Sequence, residues 1–306
     1  MYFGSKRFFK NLILLCVIVL IAVPSVFAFR YKAISEQGKQ YIEQLEMQAQ
    51  AQVQAQMYEA EQLSVDSIPQ SGFVTEHPSY QDLYPDFYAP QPLGAQERIE
   101  NTIYLTFDDG PSERTDEILK ILEDKDVKAT FFVIGQSDEA DLQRMRDIVA
   151  AGHTIGMHSY THNYTQIYSS VEAYLEDMYR IFVQIRETTG ETPTVFRFPG
   201  GSINAYNHAI YRELIAEMLR RGFVPCDWNL SGGDATGTPA PASEIVRSVV
   251  GPAADVTRGF VLMHDAQVKK TTVEALGTVI DQLREMGFTF EQLTPQTMPV
   301  LYGYRG

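Results

Sequence analysis

The sequence predicts an α/β protein, a (β/α) barrel of about seven strands. Two observations carry that reading. Short β-branched and aromatic runs alternate with segments of helical apolar spacing, the pattern of a parallel sheet with helices outside. Clusters of polar residues also fall at the carboxyl ends of those runs, where (β/α) folds collect functional side chains. About seven strands favour a barrel over an open doubly wound sheet.

Thr102 to Phe107 is β-branched and aromatic, bounded by Gly110-Pro111, and reads as a buried first strand. A helix over Glu113–Glu123 follows, spaced through Ile118, Leu119 and Leu122, then a second strand over Val127–Ile134. Asp141–Ala151 is helical, Thr154–Met157 a short strand and Val171–Thr189 a long helix with apolar positions three and four apart. Pro193–Phe198 and Phe223–Cys226 are extended. Glu244–Val250, Gly259–Met263, Val273–Met286 and Phe288–Phe290 continue the alternation.

The chain has 306 residues, enough for one domain of about 200 residues with appendages. Its net charge of −14 and the lack of clustered Lys and Arg exclude a nucleic-acid surface. The two cysteines, Cys16 and Cys226, supply no disulfide framework, so the fold rests on packing.

Residues 1–11 carry Lys6, Arg7 and Lys10 and read as a cytoplasmic N-terminus. Residues 12–29 form an apolar run broken only by Pro24 and Ser25, near the roughly 20 residues needed to span a bilayer. This is a single-pass membrane anchor or, with Val26-Phe27-Ala28 as a cleavage site, a signal sequence of a secreted protein. Either way the remainder lies outside the cytoplasm. Residues 30–63 read as a Gln/Ala/Glu-rich stalk, 64–97 as a proline-rich linker able to wrap the next domain, and 98–301 as the main folded domain.

Five polar clusters mark strand ends: Asp108-Asp109; His158 to His162; Arg197 to Gly201; Asp227-Trp228; His264-Asp265. His158 and His162 are four apart, so both imidazoles can grip one ion from one face. With a carboxylate from the Asp pair they make a two-His, one-carboxylate set, suited to Zn2+ and also to Co2+, Ni2+ or Fe2+, with positions left open for water and substrate. An H-x-x-x-H alone is more often a pair of surface histidines; the adjacent aspartates favour the metal. Two aspartates can divide ligation from proton abstraction, with Arg197 orienting the base. Pro199 has no N–H, so Gly200 offers the first backbone donor for an oxyanion. His264 is the candidate acid, held protonated by a carboxylate: Asp227 first, Asp265 and Asp234 behind it. Trp228 supplies an apolar wall.

These motifs resemble the NodB-homology polysaccharide deacetylases, carbohydrate esterase family 4, over Ile99 to Leu301. Thr106-Phe107-Asp108-Asp109-Gly110, His158-Ser159-Tyr160-Thr161-His162, Arg197-Phe198-Pro199-Gly200-Gly201, Asp227-Trp228 and Leu262-Met263-His264 match the family's five motif regions in order. The resemblance implies a distorted (β/α) barrel of seven or eight strands, Asp108 as base, Asp109 with His158 and His162 as metal ligands, Arg197 steadying the base, Asp227 orienting the acid His264, and Leu262 as an apolar pocket residue. It departs at Gly200, where the family commonly has a tyrosine whose ring walls the groove. The implied reaction is hydrolysis of an N- or O-acetyl group from a carbohydrate, usually with zinc; an anchor that holds the site beside the wall makes N-acetyl groups of a cell-envelope polysaccharide, foremost peptidoglycan N-acetylglucosamine, the expected target, with chitin oligomers or acetylxylan as alternatives. A glycan-binding module without catalysis is the competing class.

Overall fold

The computed structural model describes residues 77–90, 96–235 and 239–302. The proposed anchor and stalk, and residues 64–76 and 91–95 of the proposed linker, lie outside the described residues. No helix among the described residues is long and apolar enough to cross a membrane.

Strands β1 (Thr102–Gly110), β2 (Thr130–Ile134), β3 (Thr154–Ser159), β4 (Val195–Phe196), β5 (Val224–Pro225), β6 (Leu230–Ser231), β7 (Arg258–His264) and β8 (Thr289–Phe290) form one sheet. Its order is β5-β4-β3-β2-β1-β7-β6, with β8 paired to the start of β1, and every pairing is parallel. The sheet curls as a distorted (β/α) barrel but is not closed: β5 and β6 share no ladder among the described residues. The helices are α1 (Glu113–Asp124), α2 (Glu139–Ala150), the single turn α3 (Tyr164–Ile167), α4 (Val171–Thr189), α5 (Tyr211–Arg220), α6 (Ala242–Ala253) and α7 (Lys270–Glu285).

Local chemistry sets the helix limits. Ser112 and Thr115 cap α1 reciprocally, satisfying two of its free N–H groups, and Asp138 and Ser170 cap α2 and α4. Gly190, at φ +78, ends α4 in the left-handed conformation that costs a glycine little.

Strand alternation sorts the core into two layers. Ile103, Leu105, Phe107, Phe131, Val133, Met157, Val261 and Met263 face the helices in the larger cluster. Tyr104, Phe132, Val195, Val224, Cys226 and Phe260 fill the barrel interior. Carried forward two residues at a time, the interior rows end at Asp108, His158, Arg197 and His264, so the alternation that builds the inner core also delivers four polar side chains to the barrel mouth.

The structure moves the domain boundary. Residues 77–90, assigned to the linker by composition, belong to the packed unit. Phe87 is fully buried against Phe182 and Phe223, at ring distances of 5.0 and 4.8 Å. The buried Arg221 guanidinium donates to the carbonyls of Tyr80, Leu83, Tyr84 and Phe87, and Glu217 balances its charge at 2.6 Å. A strap this well satisfied is part of the domain. Three elements are also new: the single turn α3, β6 and α5. β6 is only two residues long, too short for a periodic signal. α5 lacks a side-chain cap at Ile210, although Leu214, Ile215 and Met218 carry helical spacing.

Candidate active site

Asp108 and Asp109 are adjacent in β1, and strict alternation would point them to opposite faces. A bulge prevents this. The β1–β2 register shifts between Asp108 and Gly110, and Asp109 takes φ +71, which turns its carboxylate back toward the barrel mouth. His162, at φ +50, is likewise in the left-handed region. Backbone strain at both positions is held by the surroundings and is common at functional sites.

The bulge brings Asp109 Oδ1 to 3.2 Å from His162 Nε2 and 3.5 Å from His158 Nε2. His158 Nδ1 lies 2.9 Å from the Arg197 carbonyl, which can only accept, so Nδ1 carries the proton and the Nε2 lone pair faces Asp109. Burial pushes the His158 pKa down to about 3, keeping the ring neutral as a ligand must be. Asp109 Oδ1 is buried with no hydrogen-bond donor. The three donor atoms lie within 4.8 Å of one another. A buried, unpaired carboxylate oxygen beside two imidazoles is the arrangement a divalent cation relieves, and the N₂O donor set fits Zn2+ or a similar ion. His162 and Asp109 are partly exposed, so the cluster opens toward solvent.

Asp108 sits beside this cluster. Arg197 donates to Asp108 Oδ1 at 2.8 Å, leaving Oδ2 directed toward the ligands, 3.8 Å from His158 Nε2. Burial raises the Asp108 pKa above the ordinary carboxylate value, opposed by the charges of Arg197 and His264. Arg197 is itself wholly buried and fully engaged, donating also to Thr106 Oγ1 and the carbonyls of Cys226 and Asp227, with its plane 4.5 Å over Phe132. Such a pair is tolerable in the interior only because every donor finds an acceptor.

His264 is the β1–β7 register partner of Asp108. Its Nδ1 meets Asp234 Oδ1 at 2.8 Å, while Asp234 Oδ2 accepts from the His264 N–H at 2.9 Å and from Thr272 Oγ1 at 2.8 Å. Burial works against the imidazolium, but the hydrogen bond and charge of Asp234, reinforced by Asp108 and Asp109, outweigh it and raise the His264 pKa. Leu262 lies one step deeper on the same interior row and is buried.

Asp227 does not do what was expected of it. Its oxygens accept from Ser202 N–H and Oγ–H and from the Tyr302 N–H, tying the loop after β4 to the C-terminal segment, and Asp234 takes its place beside His264. β6 pairs directly with β7, so the residues just beyond β6 arrive next to His264. Asp265, the other alternative, faces Thr115 and Ser112. Gly200 is exposed, and its N–H has no partner among the described residues. Trp228 is half-buried, 5.7 Å from the Arg197 guanidinium and edge-on to Tyr302.

Sequence reasoning missed Asp177 on α4. Its buried carboxylate accepts from Ser159 Oγ, the Tyr160 N–H, the Thr161 N–H and Thr161 Oγ1, and Ser159 Oγ accepts from the His162 N–H. It therefore clamps the whole turn between the two histidines. The available signal was an acid three residues after Tyr174, on the apolar face of an amphipathic helix.

Comparison with known proteins gives the family. Residues 95–219 match the family described as polysaccharide deacetylase. The peptidoglycan-N-acetylglucosamine deacetylase of Bacillus cereus is 33% identical over 66% of this chain and 72% of its own length. A bifunctional xylanase/deacetylase of Pseudobutyrivibrio xylanivorans is 33% identical over 64% of this chain and 30% of its own. The crystal structure of the catalytic domain of peptidoglycan N-acetylglucosamine deacetylase from Eubacterium rectale superposes with a TM-score of 0.65 at 32% identity, covering 70% of this chain and 98% of that one. The chain belongs to the NodB-homology polysaccharide deacetylases, carbohydrate esterase family 4.

Proposed function

We propose that this polysaccharide deacetylase is a metal-dependent hydrolase that removes N-acetyl groups from peptidoglycan N-acetylglucosamine. The observation that carries the metal dependence is the unpaired Asp109 Oδ1 between His158 and His162. A divalent cation held by Asp109, His158 and His162 supplies Lewis acidity and a water of lowered pKa.

The chain's own residues supply the rest. Asp108, with one oxygen fixed by Arg197 and the other toward the ligand cluster, takes the proton of the attacking water. The Gly200 N–H offers a hydrogen bond to the oxygen that gains charge as the amide carbon becomes tetrahedral. His264, kept protonated by Asp234, gives a proton to the departing amine.

The peptidoglycan assignment draws on the names of the Bacillus and Eubacterium relatives and on the apolar run 12–29, read as an anchor that holds an extracytoplasmic domain beside the wall. Acetate release should be compared on peptidoglycan, chitin oligomers and acetylated xylan. Preference for peptidoglycan is expected; faster release from either other polymer would reassign the substrate. Glycan binding without acetate release from any of them would return the protein to the binding-module class.

A further inference from the structure

The loop after β4 is bare at two successive positions, and aromatic rings close on it from both sides. A side chain at Gly200 would begin 2.7 Å from Tyr164 Cε1; one at Gly201 would begin 3.0 Å from Tyr302 Cε2 and 3.3 Å from Trp228 Cη2. The space above Gly200 therefore belongs to Tyr164, contributed by α3 just after His162. Its ring stands edge-on to His162 at 5.3 Å and edge-on to Tyr206, also at 5.3 Å. Tyr206 projects outward and is 57% exposed.

The neighbouring tyrosine on the same turn shows what a structural role requires. Tyr168 is buried and its hydroxyl donates to the Pro199 carbonyl at 2.8 Å. The Tyr164 hydroxyl makes no hydrogen bond among the described residues. A half-buried ring with a free hydroxyl, next to the ligand cluster and extended by an exposed second ring, presents an apolar face for the C–H face of a pyranose and a polar tip for its hydroxyls.

We propose that Tyr164 and Tyr206 form the wall of a sugar subsite, with Tyr164 replacing the side chain absent at Gly200 and Tyr206 reaching the adjacent sugar of a hexosamine polymer. This rests on the deacetylase reading above. The wall favours an oligomer over a single sugar, because the two rings extend away from the ligand cluster in sequence.

The test is calorimetric titration of the zinc-loaded full-length chain with the β-1,4 pentamer of N-acetylglucosamine, alongside steady-state acetate release. Tyr206→Ala is expected to weaken pentamer binding about tenfold, as loss of one stacked aromatic would, and to raise KM rather than lower kcat. Tyr164→Ala should do the same, and Tyr164→Phe, which removes only the hydroxyl, should give a smaller loss. Unchanged binding in Tyr206→Ala and Tyr164→Ala, or a wild-type chain that binds no pentamer, would overturn the subsite. So would losses of kcat, bound zinc and thermal stability in parallel, the mark of a purely structural role. Pentamer binding that falls in the variants while the wild type releases acetate from neither peptidoglycan nor the pentamer would sustain the subsite and sink the deacetylase reading instead.

Discussion

Asp234 grips His264 at two points: Oδ1 meets Nδ1 at 2.8 Å, and Oδ2 accepts the His264 backbone N–H at 2.9 Å. One carboxylate thus fixes both the ring and its backbone. The sign of the electrostatic effect is definite. Asp234 favours the imidazolium and raises the His264 pKa above 6.5, and an acid catalyst works only while protonated. Asp234→Asn is expected to move the alkaline limb of the pH–rate profile to lower pH, with the acidic limb, set by Asp108, in place. An unshifted alkaline limb would show that another group titrates there.

Asp227 should behave differently. Its carboxylate satisfies three donors on Ser202 and Tyr302, so Asp227→Ala strands them in a buried site and is expected to cost about 2–4 kcal/mol of stability. Urea titration measures this directly. A shifted alkaline limb in Asp227→Ala with stability unchanged would reverse the roles given to the two aspartates.

The metal cluster makes a sharper distinction between adjacent residues. Asp109→Ala and His158→Ala are expected to lose both bound zinc and turnover, whereas Asp108→Asn keeps the ion and loses turnover. Zinc content per chain after dialysis separates them. Equal loss of metal in all three would contradict the division of labour between Asp108 and Asp109.

Asp177 touches neither substrate nor metal in this account, yet it receives four hydrogen bonds from Ser159, Tyr160 and Thr161. Removing such a support loosens the ligands it orients. Asp177→Ala should lower zinc affinity about 10–100-fold, with partial rescue by Asp177→Asn, in competition with a chromogenic chelator.

Phe87 gives the most direct check on the domain boundary. Phe87→Ala is expected to destabilise the domain by about 3–5 kcal/mol, and a fragment beginning at residue 96 to be less stable than one beginning at residue 77. Equal stability of the two fragments would make the strap an accessory.

Asp108, His158, Arg197 and His264 were legible in the sequence because each falls at or just after the carboxyl end of an apolar run, where (β/α) folds collect functional side chains. The bulge that turns Asp109 inward was not legible, since it depends on the register with β2. Asp234 was ranked below Asp227 because β6 has two residues and leaves no periodic trace, although its pairing with β7 decides which acid reaches His264. Phe87 lies among prolines whose composition reads as a linker able to wrap the next domain, and composition does not show that its ring is fully buried. The missing side chain at Gly200 was visible, but the ring that fills its space comes from a turn 36 positions earlier in the chain.

If a metal held by Asp109, His158 and His162 drives amide hydrolysis, turnover must follow the metal. Acetate release from peptidoglycan should be measured on one preparation before chelation, after chelation, and after zinc is restored. Activity lost on chelation and regained with zinc is the predicted result. Turnover that persists at full rate in a chain shown to hold no metal would contradict the account.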